Sequence, residues 1–180
     1  MKNLKLSLLI PLIYILFFVG KYFYMQPDYA RGELAPAFSG KLFSGQDFQL
    51  ADLKGKMVLL DFWGSWCGPC RHENPQLVQF YNKYHDVRYK DLDGFEVVSV
   101  GVESRDKSWA KAIRRDQLKW PYHILDLATS LRFFDSPIAE LYGVKEVPTK
   151  FLINEHGEII GVNLSFAEMG QILNERLAAN

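Results

Sequence analysis

The chain is 180 residues long, 48% hydrophobic and formally neutral, with 21 basic and 21 acidic residues. That composition supports one domain with its own core plus an appendage, and excludes a disordered chain. It offers neither a net field nor a Lys/Arg-rich run for nucleic acid, and its two cysteines are too few for a disulfide scaffold.

The first elements differ in character from the rest. Lys2 and Lys5 precede an uncharged apolar run from Leu6 to Gly20; Lys21 interrupts it, and Tyr22-Phe23-Tyr24-Met25 resumes it. The run alone is short for a hydrocarbon core of ~30 Å. It reaches roughly the 20 residues needed if Lys21 snorkels and the aromatic side chains sit at the interface. Pro11 is placed to kink it. A cleaved signal peptide has an apolar region of similar length, but bulky Tyr22 to Met25 stand where small residues would guide cleavage. Residues 1–25 therefore read as an uncleaved membrane anchor, with a signal peptide as the alternative. The lysines keep the amino end in the cytoplasm and export the remainder. The polar, Pro- and Gly-containing stretch 26–36 reads as a linker, and 37–180 as one domain.

Within that domain, Phe38, Leu42 and Phe48 around the turn Ser44-Gly45-Gln46-Asp47 predict a leading hairpin. Met57 to Trp63, apolar except for Asp61, predicts a strand buried on both faces. Pro75 to Tyr89 shows helical spacing, Phe95 to Val102 a second buried strand, and Asp106 to Gln117 a helix. Trp120 to Ile124 is extended, Pro137 to Tyr142 a short helix stopped by Gly143. Lys150 to Asn154 and Glu158 to Asn163 form a hairpin. Ser165-Phe166-Ala167-Glu168 is a capping box opening a last helix. Strands alternating with helices early in the chain require parallel pairing with crossovers, and the late hairpin adds antiparallel strands.

Chemistry concentrates in Trp66-Cys67-Gly68-Pro69-Cys70, which holds both cysteines. Two thiols at this spacing close a disulfide with little backbone movement if the segment turns into a helix. Redox, metal-binding and structural roles are all open on that ground. A helix amino terminus favours a thiolate through its free N–H groups and partial positive charge, and Arg71 and His72 add charge nearby. Pro69 suits a first helical turn. In such a motif the first cysteine is the exposed nucleophile and the second is shielded. Asp61 is a carboxyl in an apolar strand, where burial raises its pKa toward neutrality and suits it to proton exchange; a hydrated strand-edge position is the plain alternative. Pro148 heads an apolar strand, where its missing N–H is tolerated. A lone X-Pro bond is usually trans, so the residues themselves give no cis assignment.

Together, the segment Val58 to Cys70 closely resembles the active-site segment of thioredoxins, and Val147-Pro148-Thr149, preceded by Gly143-Val144, is similar to their cis-proline loop. The resemblance covers roughly Ala35 to Leu177. The anchor, the added hairpin and a long insertion from about Ser104 to Pro137 resemble the membrane-anchored TlpA/ResA-type thiol–disulfide oxidoreductases of bacteria. Alkyl hydroperoxide reductases and thiol-specific antioxidant proteins are neighbours of that group. The resemblance implies an α/β, thioredoxin-like fold: a central mixed sheet flanked by helices, with an N-terminal transmembrane helix and an added N-terminal β-hairpin. It implies a redox disulfide Cys67–Cys70, a cis Pro148 facing it, and Asp61 as the buried acid, although many anchored relatives carry another residue there. Trp66, Gly68, Pro69, Val147 and Pro148 then support the site and bind substrate.

The expected activity is extracytoplasmic reduction of protein disulfides, Cys67 attacking and Cys70 resolving with help from Asp61. The expected partners are a disulfide-containing protein, a membrane electron donor of the DsbD/CcdA kind and the membrane itself, with no cofactor and no metal. Cytochrome c maturation is a known task of such relatives. One alternative is a thiol peroxidase of the peroxiredoxin type. Its Pro-x-x-x-Thr/Ser-x-x-Cys pattern fails here, since Gly64 stands at the Thr/Ser position. The other is a non-enzymatic copper chaperone, for which no Met or His cluster accompanies the cysteines.

Overall fold

The structure, a computed structural model, describes residues 2–131 and 134–178, with side chains in the first helix described from Leu9 onward. That helix, α1 (Lys2–Met25), contains Pro11 and carries apolar side chains all around its surface, exposed from Leu9 to Tyr24. Among the described residues no helix is long and apolar enough to cross a membrane. A helix thus forms where the anchor is expected, while the transmembrane span expected of it is not shown among the described residues. The side chains of Lys2 and Lys5, on which the expected orientation rests, lie outside the described residues.

The predicted hairpin forms as β1 (Ser39–Lys41) and β2 (Asp47–Gln49), antiparallel, followed by a 3₁₀ turn at Leu50–Leu53. Five strands make the main sheet: β3 (Met57–Trp63), β4 (Phe95–Glu103), β5 (Tyr122–Leu127), β6 (Thr149–Ile153) and β7 (Ile159–Val162). Their spatial order is β5-β4-β3-β6-β7, with β3, β4 and β5 parallel and β6 and β7 antiparallel to their neighbours. Every residue of β3, β4 and β6 is buried, which is why these strands read as mainly apolar runs, interrupted by buried polar residues such as Asp61, Ser99 and Lys150. Helices α2 (Gly68–Tyr84), α3 (Asp106–Arg115) and α5 (Phe166–Glu175) pack into one core around Leu59, Trp63, Leu77, Phe80 and Leu173. The hairpin and α4 (Pro137–Leu141) close a second core around Phe38, Leu60, Phe62 and Tyr142. This is a thioredoxin-like α/β fold with a central mixed sheet.

Two boundaries differ from the expected ones. Helix α2 opens at Gly68, as Pro69 in a first helical turn predicts, but ends at Tyr84, short of the helical spacing read as far as Tyr89. Pro69 fits its first turn, and Pro75, inside the helix, deletes a single ladder bond that the packed face of Leu77, Phe80 and Tyr81 outweighs. The second difference is the segment 26–36, expected as a linker, which is tied along the outer edge of the sheet. The N–H groups of Gly32 and Ala35 donate to the carbonyls of Ile159 and Gly157, each at 2.8 Å, and Ile159 N–H donates to Glu33 at 2.8 Å. Tyr142 Oη donates to Pro36 O at 2.7 Å. Gly143, at φ +61°, passes so close to Asp28 that a side chain there would collide with its carboxyl group.

Candidate active site

The site forms where β3, running toward its carboxyl end, hands over to α2. Cys67 is the N-cap of α2 and Cys70 lies in its first turn; their Cα atoms are 5.3 Å apart and their sulfurs are joined in a disulfide. The backbone N–H of Cys70 donates to Cys67 Sγ at 3.1 Å, the contact that favours negative charge on that sulfur. Cys67 is only 4% exposed, against 2% for Cys70, so the expected contrast between an open and a shielded sulfur is absent in the disulfide form. The cause is the facing loop: Val147 carbonyl O sits 3.6 Å from Cys67 Sγ. The Val147–Pro148 bond is cis, as the resemblance implies. Thr149 Oγ1 donates to Glu146 O at 2.7 Å and closes that loop.

Trp66 stays 45% exposed, while its Nε1–H donates to Val102 O at 2.8 Å. The turn before the cysteines is fixed by a residue without a sequence signal of its own. Glu103, buried at the end of β4, accepts from both the backbone N–H and, at 3.0 Å, the hydroxyl of Ser65. Burial pushes the Glu103 carboxyl up, and the two Ser65 donors oppose that shift. Arg71 does not contribute free positive charge at the cysteines. It forms a two-pronged ion pair with Asp116, which also accepts from Asn74 Nδ2 at 2.8 Å.

Asp61 lies in the middle of the sheet, not at a hydrated edge. It pairs with Ser99 on β4 and Lys150 on β6, and it faces the same core as Leu59, Trp63, Cys67 and Cys70. Burial pushes its carboxyl up to about 6, against the pull of the Lys150 charge and of Ser99. Ser99 Oγ donates to Asp61 at 3.2 Å and receives Trp120 Nε1–H at 3.0 Å. Lys150 forms an ion pair with Glu73 of α2. Ser99, Lys150, Glu73, Glu103 and Asp116 were not legible as site residues. Lys150 carried the one available signal, a charge inside an apolar strand, as Asp61 does.

Gly68 and Pro69 open α2 as expected, and Pro148 borders a groove shared with His72, Glu73, Lys150, Asn163 and Phe166. Among the described residues no three His, Cys, Asp or Glu side chains gather to hold a metal ion. The arrangement suits two-electron sulfur chemistry: a sulfur at a helix amino terminus, a second within bonding reach, and a buried acid poised near neutrality on the same face.

A model of the AhpC/TSA family matches residues 31–162. Among characterised proteins, thiol-disulfide oxidoreductase ResA of Halalkalibacterium halodurans is 31% identical over 142 residues, covering 78% of this chain and 73% of its own length. ResA of Bacillus subtilis is 31% identical over 150 residues, covering 83% and 73%. Among solved structures, the thioredoxin domain of a thiol-disulfide oxidoreductase from Bacteroides vulgatus superposes with a TM-score of 0.68 at 31% identity, covering 82% of this chain and all of that domain.

Proposed function

Because the chain belongs to the AhpC/TSA family and is a thioredoxin-like thiol–disulfide oxidoreductase, we propose that it reduces protein disulfides on the outer side of a cytoplasmic membrane. The observation that carries this reading is Cys67 at the cap of α2, bonded to Cys70, with Asp61 on the same core face and Val147 opposite. In the dithiol form, Cys67 thiolate attacks one sulfur of a target disulfide. A Cys67–target bond forms, and the expelled target sulfur leaves as a thiolate that takes up a proton. Cys70 then gives its proton to Asp61 and attacks Cys67 Sγ, closing the Cys67–Cys70 bond as the second target sulfur departs. Two electrons pass to the target, and a dithiol donor at the membrane, of the DsbD/CcdA kind, returns them.

Val147 and Pro148 would hold the target backbone beside the disulfide, with Trp66, Gly68 and Pro69 shaping the other wall. Residues 1–25 would anchor the chain: the uncharged run Leu6 to Gly20, extended by Tyr22 to Met25, supports this, as does the exposed apolar surface of α1. Residues 37–180 would then form the exported domain, and cytochrome c maturation is one task that would need such a reductant.

Insulin reduction by the full chain in detergent, with a chemical dithiol as donor, tests the reading. Turnover that disappears in Cys67→Ser supports it. No turnover, or turnover indifferent to that change, defeats it.

A further inference from the structure

The segment that leaves α1 does not dangle. Asp28 Oδ1 is 2.9 Å from Lys145 Nζ, which also donates to Gln26 O at 3.4 Å and lies 5.3 Å from the centre of the Tyr24 ring. Tyr29 packs on Tyr142 with ring centres 6.0 Å apart. The chain then runs antiparallel to β7, through the Leu34–Glu158 bridge and the bonds to Ile159 and Gly157, toward the far end of the sheet.

The direction of this path decides which end of the domain faces α1. Strand β6 starts at Thr149 beside the cis-proline and β7 ends at Val162, so the strap begins at the end of the sheet that carries the disulfide. Lys145 is two residues from Val147, whose carbonyl touches Cys67 Sγ. At about 3.5 Å per residue that step is at most ~7 Å, so the carboxyl end of α1 and the redox centre share one pole of the molecule. Two of the large apolar side chains left exposed outside α1, Trp66 and Leu127, lie at this pole, at the carboxyl ends of β3 and β5. Tryptophan is the side chain that best suits a membrane–water interface.

We propose that residues 26–35 are a rigid strap, latched by the Asp28–Lys145 pair, that holds the Cys67 pole against the bilayer entered by α1, so that the favoured partner presents its disulfide at headgroup level. This rests on the reading of α1 as an anchor. A flexible tether would let the domain tumble and face soluble and membrane-borne disulfides alike. The strap instead raises the effective concentration of membrane-borne ones.

The test uses the full chain reconstituted in phosphatidylcholine vesicles. Two probes are compared: insulin in solution, and a membrane-spanning peptide with an intramolecular disulfide in its interfacial flank. Flotation comes first; protein that stays with the soluble fraction defeats the anchor reading and this proposal with it. If it floats, Lys145→Glu, which sets two carboxylates against each other, should slow peptide reduction about tenfold without slowing insulin reduction. The exchanged pair, Asp28→Lys with Lys145→Glu, should restore the peptide rate. Unchanged rates on both probes, or equal losses on both, in a protein that floats would overturn the strap while leaving the anchor intact.

Discussion

Asp61 holds its proton to a higher pH than an ordinary carboxyl because its site is closed to water and Lys150 is committed to Glu73. Its carboxyl, ordinarily at 3.8, is pushed up to about 6, so the native state binds this proton more tightly than the unfolded chain does. The stability contributed is complete below the unfolded value and is lost as pH rises through about 6. Asp61→Asn should therefore be more stable than the parent at pH 7.5, by about 2–3 kcal/mol, and match it near pH 4, as urea denaturation at the two pH values would show. The same variant should resolve mixed disulfides roughly a hundredfold more slowly. In the parent, resolution should accelerate as pH rises through about 6, where Asp61 becomes able to accept a proton. Mixing Cys70→Ala with a disulfide substrate should trap a covalent adduct on Cys67, seen by mass spectrometry and cleared by reductant; an adduct absent from Cys67 would reverse the assigned roles.

Among the elements, β3 and β4 were legible because burial on both faces leaves a predominantly apolar run, and α5 because Ser165 and Glu168 form their reciprocal cap. The start of α2 was legible in Pro69 and Cys70, which suit a first helical turn, although Pro75 lies inside the helix. The thiol pair and Asp61 stood out in the sequence, since a lone charge or a close cysteine pair is conspicuous. Their supporting shell did not, because Ser99, Glu103 and Asp116 become meaningful only through strand register and contacts more than thirty residues apart. Asp116, just after α3, holds Arg71 and Asn74 of α2, so it fixes the helix that carries the cysteines. Asp116→Ala leaves the half-buried Arg71 charge unpaired and should cost about 3 kcal/mol in denaturant unfolding. A cost below ~1 kcal/mol would mean that water satisfies Arg71 as well as Asp116 does.

At the scale of the whole molecule, the segment after α1 was the least legible part. Its polar composition reads as a tether, whereas its order comes from backbone bonds to Gly157 and Ile159, which leave no trace in residue type. Removing residues 1–25 should leave melting almost unchanged, while removing 1–36 strips the strap from β7 and Tyr142 and should lower the Tm by several degrees. Equal melting of the two forms would show that the strap adds nothing to the fold. Whether this centre gives electrons to its targets is decided by the reduction potential of the Cys67–Cys70 couple, equilibrated against glutathione and dithiothreitol. Its Gly68-Pro69 dipeptide and its resemblance to thioredoxin predict a value near the reducing end, about −270 mV. A value near −120 mV would make the protein an oxidant rather than a reductase.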